Sequence, residues 1–355
     1  MEFGLFHEFP TLAERSHAEA FAQGFAQIDA AERFGLDAIW LAELHFAPER
    51  SLLAAPLSIA AAIAARTSRI KIGIAVQVLP LCHPLRLAEE AATVDQLSRG
   101  RLIFGVGRSG VVKTYDAYGI PYDESRDRFT ETLAILKRAW TGETFSHHGK
   151  FYRFSDVAVV PLPYQKPYPP LRMAAMTNDT FPLIGELGLP MFASTRHTNW
   201  AELLPLIGQY RAAYKAAGHP GRGEVFVSIP TYLAAGDARA SAEAEPSIMQ
   251  FYRMQAALAA DSAARSATVT AARAKRIERL QNLSFDQALR EHLLIGSPDT
   301  VAKRLAALRA EFGLDGILAE VNCGGLIPHP SVLEAIRLLS VEVQPRFRVN
   351  LEGER

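Results

Sequence analysis

Hydrophobic runs of strand length alternate with helical patterns along most of the chain. The clearest unit begins with the apolar, β-branched run 70–79 and ends with a second apolar run, 102–106. Between them, residues 84–97 carry apolar side chains at helical spacing, and Arg99-Gly100 supplies a stop signal. Both runs are apolar at consecutive positions, which is typical of parallel strands buried on both faces. The stretch 70–106 is therefore predicted to form a β-α-β unit.

The same alternation continues on either side of this unit. Strands are predicted at 2–6, 37–42, 70–79, 102–106, 171–176, 191–194, 224–233 and 316–321, and helices at 17–34, 56–65, 84–97, 126–140, 180–187, 200–217, 298–312 and 331–341. Eight strands alternating with helices predict one α/β domain over 1–355, a (β/α)8 TIM-type barrel. A doubly wound sheet is the alternative, but it usually has about six strands.

Two segments interrupt the alternation. Residues 142–154 form a polar pattern typical of a hairpin, and the proline-rich stretch 161–170 returns the chain, so that 142–170 is an excursion from the barrel. His147 and His148 in this hairpin are expected to face solvent. Residues 237–294 are alanine-rich and helical in pattern, which favours a helical insertion or a mobile lid.

Composition and charge argue against several classes of protein. The chain has 355 residues and a formal net charge of zero, without a basic stripe, which argues against a nucleic-acid partner. Cys82 and Cys323 are the only cysteines, so no disulfide framework is expected and a reducing compartment is favoured. No signal peptide or membrane-length apolar run is apparent. The sequence predicts a soluble, cytoplasmic protein without a membrane partner.

Candidate chemistry is expected where strands end, because functional residues of a parallel barrel collect there. His7, His45, His83 and His197 all fall at such points, and histidine suits proton transfer near neutral pH. Their spacing matches neither HxH nor HExxH, so no metal site is predicted.

An anion site is also predicted at the strand ends. Arg108 follows the strand at 102–106, residues 177–180 precede a helix, and Arg126 begins another helix. A guanidinium fork and free N–H groups both suit a phosphate. The alternatives are that Arg108 forms a structural ion pair and that Thr180 only caps its helix.

The order and spacing of several motifs resemble the bacterial luciferase-like flavin monooxygenase family. These motifs are DAIWLAE-x-HF, VLPxxHPLRLAEE, DQLSRGRLIFGVGRS, YGIPYDESRDRFTE, ELGLPMFAS and IGSPDTVAKRL. The resemblance spans nearly the whole chain and implies a TIM-type barrel that binds FMN in its reduced form, FMNH2, supplied by a separate flavin reductase. The reduced flavin would react with O2 to give a C4a-peroxide that oxygenates a small organic substrate. A homodimer formed through helices near 54–65 is also implied.

The resemblance assigns roles to particular residues. It places the FMN phosphate on Arg108, Arg126 and the groups of Met176, Thr177 and Thr180. It puts the flavin ring beside a cis peptide bond at Ala75–Val76, and His45 becomes the proton-transfer residue. Glu43 and Gln77 are expected to face the barrel interior near the flavin, and a buried Glu43 would need a partner such as Arg108 or His45.

Two departures bear on the substrate. Leu44 stands where luciferase has the first of two histidines, so oxidation of long-chain aldehydes with light emission is not expected. Gly107 stands where luciferase has a reactive cysteine, which predicts room for a bulkier substrate or a different pose of the flavin ring. Apolar rim residues favour an apolar or aromatic molecule. Hydride transfer with coenzyme F420, and a flavin-binding barrel without catalysis, remain as alternatives.

Overall fold

A computed structural model describes residues 1–11, 15–196, 198–265 and 271–348. The strands, in chain order, are β1 (Glu2–His7), β2 (Ala38–Leu41), β3 (Lys71–Val78), β4 (Leu102–Gly107), β5 (Phe145–His148), β6 (Arg153–Val157), β7 (Leu171–Ala174), β8 (Met191–Ser194), β9 (Val225–Leu233), β10 (Leu294–Gly296) and β11 (Gly316–Glu320). Eight of them pair in parallel in the order β1-β2-β3-β4-β7-β8-β9-β11, and β11 pairs again with β1. The sheet is therefore a closed barrel, which confirms the predicted α/β fold class.

Helices follow the barrel strands and lie on the outside. They are α1 (His17–Phe34), α2 (Pro56–Arg66), α3 (Pro84–Ser98), α4 (Val112–Ala117), α5 (Ser125–Ala139), α6 (Thr180–Glu186), α7 (Trp200–Ala216), α8 (Asp237–Ala264), α9 (Ala271–Asn282), α10 (Phe285–Glu291), α11 (Pro298–Phe312) and α12 (His329–Leu338). Helix α1 shows why the sequence signals worked. Ser16 and Glu19 form a reciprocal capping box at its start, and Gly35 ends it in the left-handed conformation.

The lower part of the barrel is filled by side chains. The indole of Trp40 is fully buried and lies against Gly73, where a Cβ atom would come within 2.0 Å of the ring. The Arg172 guanidinium lies 3.5 Å from the centre of the Phe226 ring and pairs with Glu2 at 2.8 Å. Because this interior is packed, a ligand must approach from the rim at the carboxyl ends of the strands.

The excursion after α5 contains the predicted hairpin. Strands β5 and β6 pair antiparallel, and the buried carboxylate of Asp95 accepts hydrogen bonds from the backbone and side chain of Gln165 on the returning segment, both at 2.8 Å. The expectation that both hairpin histidines face solvent was wrong for His147, whose Nε2 lies 3.0 Å from Glu131. His148 is exposed as expected.

The predicted insertion at 237–294 consists of α8, α9 and α10, and residues 266–270 lie outside the described residues. Its last residue was assigned wrongly, because Leu294 begins β10, which adds to β9 outside the barrel. The two ends of the insertion meet. Asp237 at the start of α8 accepts hydrogen bonds from Ser297 N at 2.6 Å and from Thr300 Oγ1 at 2.8 Å. Within the described ranges, no helix has the length and apolar character needed to cross a membrane.

Candidate active site

A hydrogen-bonded network joins the ends of β2 and β3 at the rim. The Glu43 carboxylate accepts from Gln77 Nε2 at 2.6 Å and from the backbone N–H of Val78 at 2.7 Å. Its other oxygen lies 2.8 Å from His45 Nε2, and His45 Nδ1 lies 3.2 Å from the Tyr118 hydroxyl. The expected partner of buried Glu43 is therefore His45 rather than Arg108. Sequence reasoning did not identify Tyr118.

This network fixes the protonation pattern of His45. A carboxylate only accepts hydrogen bonds, so Nε2 of a neutral His45 carries the proton toward Glu43. Nδ1 then carries the lone pair, and it accepts from the hydroxyl of Tyr118, a residue that is 47% exposed. The imidazole is thus held in one tautomer, with its basic nitrogen directed toward a side chain that reaches solvent.

The thiol of Cys82 borders the same network. Its sulfur lies 3.5 Å from Gln77 Nε2. Burial, together with the nearby Glu43 carboxylate, raises the pKa of Cys82 to about 12. The thiol is therefore protonated near neutral pH and is a poor nucleophile.

The peptide bond between Ala75 and Val76 is cis, as the resemblance implied. It lies in β3, where the register with β4 shifts between Ile74 and Gln77. A Cβ atom on Gly107 would lie 2.4 Å from Cγ2 of Val76. The Val76 side chain therefore fills the space beside Gly107, and the expected room for a bulkier substrate is not found there.

The residues expected to bind an anion lie together. We call the set the anion cluster; it consists of Arg108, Ser125, Arg126, Thr177, Asp179 and Thr180. Arg108 donates to Ser125 Oγ at 3.5 Å, and the next residue, Arg126, forms an ion pair with Asp179. Thr177 Oγ1 and Thr180 Oγ1 are 2.8 Å apart. Met176, which precedes Thr177, is 44% exposed.

Asp179 is the member of the anion cluster that sequence reasoning did not single out. The Thr177 hydroxyl and the Arg126 guanidinium both lower the pKa of its carboxyl group. Arg126 and Asp179 have side chains that are 54% and 52% exposed, so their pair faces solvent. The cluster thus already holds one carboxylate at a point where a phosphate would also be attracted.

A second set of charged side chains also lies at the rim, and sequence reasoning did not assemble it. We call it the rim charge cluster; it consists of Glu8, Arg50, Arg196 and Glu320. Glu8 follows β1 and accepts from Arg50 at 2.6 Å and from Arg196 at 2.8 Å. Glu320 ends β11, and its Oε2 lies 3.6 Å from Arg196 Nε. The only sequence signal was that Glu8 and Arg196 each stand just beyond a strand.

The remaining predicted rim histidines have simpler surroundings. His7 is buried, with Nδ1 accepting from Phe9 N at 3.0 Å and Nε2 2.9 Å from Gln27. Burial outweighs that hydrogen bond and lowers the pKa of His7 to about 4. His83 precedes α3 and is exposed, and it makes no capping hydrogen bond. His197 lies outside the described residues.

Comparison with known proteins agrees with this architecture. The sequence profile of the luciferase-like monooxygenase family matches residues 1–316. An uncharacterised protein of Sinorhizobium fredii is 32% identical over 339 residues, covering 95% of this chain and 94% of that protein. The oxygenase component of a flavin-dependent trigonelline monooxygenase from Acinetobacter baylyi is 27% identical, covering 66% of this chain and 65% of its own.

A solved structure extends the likeness to the fold. The crystal structure of a monooxygenase from Streptomyces bottropensis superposes with a TM-score of 0.83 and 25% sequence identity, covering 98% of this chain and all of that one. The family profile matches well over half of the chain. This chain is therefore an enzyme of the luciferase-like monooxygenase family.

Proposed function

We propose that the protein is the oxygenase component of a two-component system, which receives FMNH2 from a separate reductase and inserts one atom of O2 into a small organic substrate. The observation that carries this proposal is the anion cluster, in which Arg108, Arg126 and two threonine hydroxyls converge at the rim. The Acinetobacter relative described as an oxygenase component supports the two-component arrangement.

The anion cluster suits the phosphate of FMN. A phosphate accepts several hydrogen bonds, and guanidinium groups with hydroxyl donors supply them in a fixed geometry. Among the described residues, the Arg108 guanidinium makes one long hydrogen bond, to Ser125, so it has donors left for a ligand. Arg126 would exchange Asp179 for the phosphate, and Ser125 begins a helix of 15 residues whose N-terminal end favours negative charge.

The neighbouring network suits the polar edge of a flavin ring. Gln77 Oε1 is buried and has no hydrogen-bond partner among the described residues, so it offers an acceptor to a ring N–H group. The backbone at Ala75 and Val76 lies on the same strand. When bound, the reduced flavin supplies the electrons for activation of oxygen.

The chain's own contribution is to position groups and transfer protons. Glu43 holds His45 by one nitrogen, which leaves Nδ1 to exchange a proton with the Tyr118 hydroxyl. We assign the proton-transfer role to His45 and a positioning role to Glu43. Leu44 contributes no proton-transfer group, so a substrate other than a long-chain aldehyde is part of this proposal.

An anaerobic titration with FMN, FMNH2, riboflavin and F420 tests the proposal. FMNH2 is expected to bind more tightly than riboflavin and F420, and Arg108→Ala should weaken FMNH2 at least tenfold while leaving riboflavin unchanged. Arg128→Ala is the matched control, because Arg128 lies on the same helix as Arg126 but pairs with Glu124. Unchanged FMNH2 affinity in the Arg108 variant would refute the phosphate assignment.

The same titration, followed by mixing the flavin complex with O2 in the presence and absence of candidate substrates, separates the alternatives. Preference for F420 would favour hydride transfer. Flavin binding with oxygen consumption that no substrate increases would favour a binding barrel without catalysis. The homodimer through the region of α2 is a further part of the proposal, and light scattering during size-exclusion chromatography tests it.

A further inference from the structure

A crevice opens beside the rim charge cluster and has no role in the function proposed above. Its walls include Phe6, Glu8, Arg50, Phe251, Met254 and Glu320. Two walls are aromatic, and the Arg196 guanidinium lies 4.6 Å from the centre of the Phe6 ring. The loop after β2 carries both Arg50 and the proposed proton-transfer residue His45. The crevice is therefore part of the same strand-end rim as the candidate active site.

Several buried polar atoms around the crevice have no hydrogen-bond partner within the described parts of the chain. They are Gln255 Nε2 and Tyr252 OH, while Arg196 Nε and Glu320 Oε2 face each other at 3.6 Å, beyond hydrogen-bond distance. Gln255 is 3% exposed and Arg196 is 9% exposed. Buried polar atoms nearly always have partners in native proteins. A purely structural network would satisfy more of these atoms internally.

Unpaired hydrogen-bond donors lie near Arg50, and the hydrogen bond from Arg50 determines the orientation of the Gln255 amide. Arg50 Nη1 donates to Gln255 Oε1 at 2.9 Å. Because guanidinium groups only donate, the amide oxygen of Gln255 must face Arg50, and its NH2 group points elsewhere as an unpaired donor. Three of the five Arg50 N–H groups are used by Glu8 and Gln255. The spare guanidinium and amide N–H groups match a ligand that presents acceptor oxygens.

The net charge of the rim charge cluster indicates the charge of the ligand. Burial tends to raise the pKa of Glu8, but Arg50 and Arg196 outweigh it and lower that pKa to about 2. Burial, only partly offset by Arg196 and reinforced by Glu8, raises the pKa of Glu320 to about 7. With Glu320 protonated, two guanidinium groups face one carboxylate. One positive charge is then in excess in a buried place, which an anionic ligand would balance.

We propose that this crevice is a subsite for a carboxylate group of the organic substrate, bound by Arg50 and Gln255 with the apolar part of the molecule against Phe251. The inference rests on the proposed oxygenase function, since it names the chemical class of that enzyme's substrate. An aromatic or otherwise apolar carboxylic acid would match the crevice in chemistry, with its apolar part against the aromatic walls and its carboxylate at the charged end. Carboxylate binding is then linked to retention of the proton on Glu320.

The linkage predicts how affinity depends on pH. The titratable and charged groups around the crevice are His7 and Glu8 after β1, Arg50, Arg196, Tyr252 on α8, Glu320, Cys323, and His329 beyond Gln27. Burial lowers the pKa of His7 to about 4 and lowers that of His329, and it raises the pKa of Tyr252 and Cys323 well above their usual values. Between pH 6 and 8.5, Glu320 is therefore the group whose charge changes, and its ionisation opposes an incoming carboxylate.

Benzoate and its uncharged counterpart benzamide are the probes for a calorimetric titration of the full-length protein without flavin. Benzoate is expected to bind and benzamide to bind at least tenfold more weakly. If only the protonated Glu320 form binds benzoate, the dissociation constant should rise about 30-fold from pH 6 to 8.5. Equal binding of the two probes, or a flat benzoate profile, would overturn the proposal.

Variants make the test independent of folding failures. Glu320→Gln keeps the crevice neutral at position 320 at every pH, so it should retain tight benzoate binding at pH 8.5. A gain of affinity over wild type cannot arise from misfolding. Gln255→Leu should weaken benzoate at pH 6 by about tenfold, as loss of a hydrogen bond to a charged group does. Gln287→Leu on α10 is the matched control, because its amide pairs with Glu291 away from the crevice.

The outcome also separates this inference from the proposed function. Benzoate binding without flavin measures the crevice alone, whereas the flavin titration measures the anion cluster. Normal FMNH2 binding with no discrimination between benzoate and benzamide would remove only the subsite. Benzoate binding with F420 preference would instead retain the subsite and remove the proposed FMNH2-dependent activity.

Discussion

The Asp179 carboxylate pairs with the Arg126 guanidinium, which the FMN phosphate is expected to bind. Removing the negative charge of Asp179 should therefore strengthen FMN binding. Asp179→Asn should strengthen FMN binding about fivefold and leave riboflavin binding unchanged. The amide keeps the shape of the side chain and its contact with Thr177 while removing the negative charge. Riboflavin has no phosphate, so it does not meet that charge.

The magnitude follows from the exposure of the pair. Arg126 and Asp179 are each about half exposed, so their ion pair itself contributes only about 0–1 kcal/mol. A phosphate seated on Arg126 would lie near the Asp179 carboxylate, and two like charges about 4 Å apart in water-like surroundings repel by about 1 kcal/mol. Since 1.4 kcal/mol corresponds to tenfold, the expected gain is about fivefold.

Fluorescence titrations with oxidised FMN and riboflavin measure both affinities. The gain for FMN should shrink at high salt, because exposed charges are screened. Asp127→Asn is the control, since Asp127 is an exposed aspartate on α5 that pairs with Lys150. Equal changes for FMN and riboflavin would contradict the reasoning. Weaker FMN binding would show instead that Asp179 is needed to position Arg126.

Three further predictions concern stability. Gly73→Ala should lower the free energy of unfolding by about 3 kcal/mol or more, measured by urea denaturation, because the new Cβ would overlap the buried Trp40 ring. Trp140→Phe should cost about 1–3 kcal/mol in the same assay, because it removes the 3.1 Å hydrogen bond from the indole to the Ala88 carbonyl and leaves a cavity where the larger buried ring lay; an unchanged midpoint would contradict this. Because burial raises the pKa of Glu320 to about 7, the native state keeps a proton on this residue, and its contribution to stability falls as the pH rises from 4.5 to 7. His7 acts in the opposite direction. Because its pKa is lowered to about 4, its contribution to stability rises between about pH 4 and 6.5. Glu320→Gln removes only the first effect, so its melting temperature relative to wild type should increase from pH 5 to pH 8, and a constant difference would show that Glu320 titrates normally.

The parts of the fold that could be predicted from sequence are those specified by local signals. Helix α1 begins and ends where Ser16, Glu19 and Gly35 place its caps. Strand β10 was missed because it has only three residues, and it exists through pairing with the outer end of β9. No local sequence pattern indicates that a partner strand is available for so short a segment. Helix α4 is also short, and its six residues follow a glycine-containing turn without a capping side chain.

The candidate site divides in the same way. The anion cluster could be predicted because Arg108 and Arg126 lie in recognisable motifs at the ends of a strand and a loop. The rim charge cluster could not, because Glu8 and Arg196 are separated by 188 positions in the chain. A single sequence records that each stands at the rim but not that they meet. Tyr118 was missed because its contact with His45 depends on how the segment around α4 folds over the rim.

Asp237 accepts hydrogen bonds from the start of α11, and this contact bears on where a segment of the chain can be replaced by another. The segment from α8 to α10 leaves from the end of β9, and the backbone hydrogen bond from Ala234 N to Gly296 O, at 3.3 Å, brings its return point to the same place. The length of the segment from α8 to α10 therefore does not affect the geometry of the eight-stranded barrel. Lengthening such a connection costs little free energy. Gly236 and Ser297 mark natural junctions at which this segment can be exchanged for another while the strand register is kept. A new cover over the rim can thus be acquired without rebuilding the barrel beneath it.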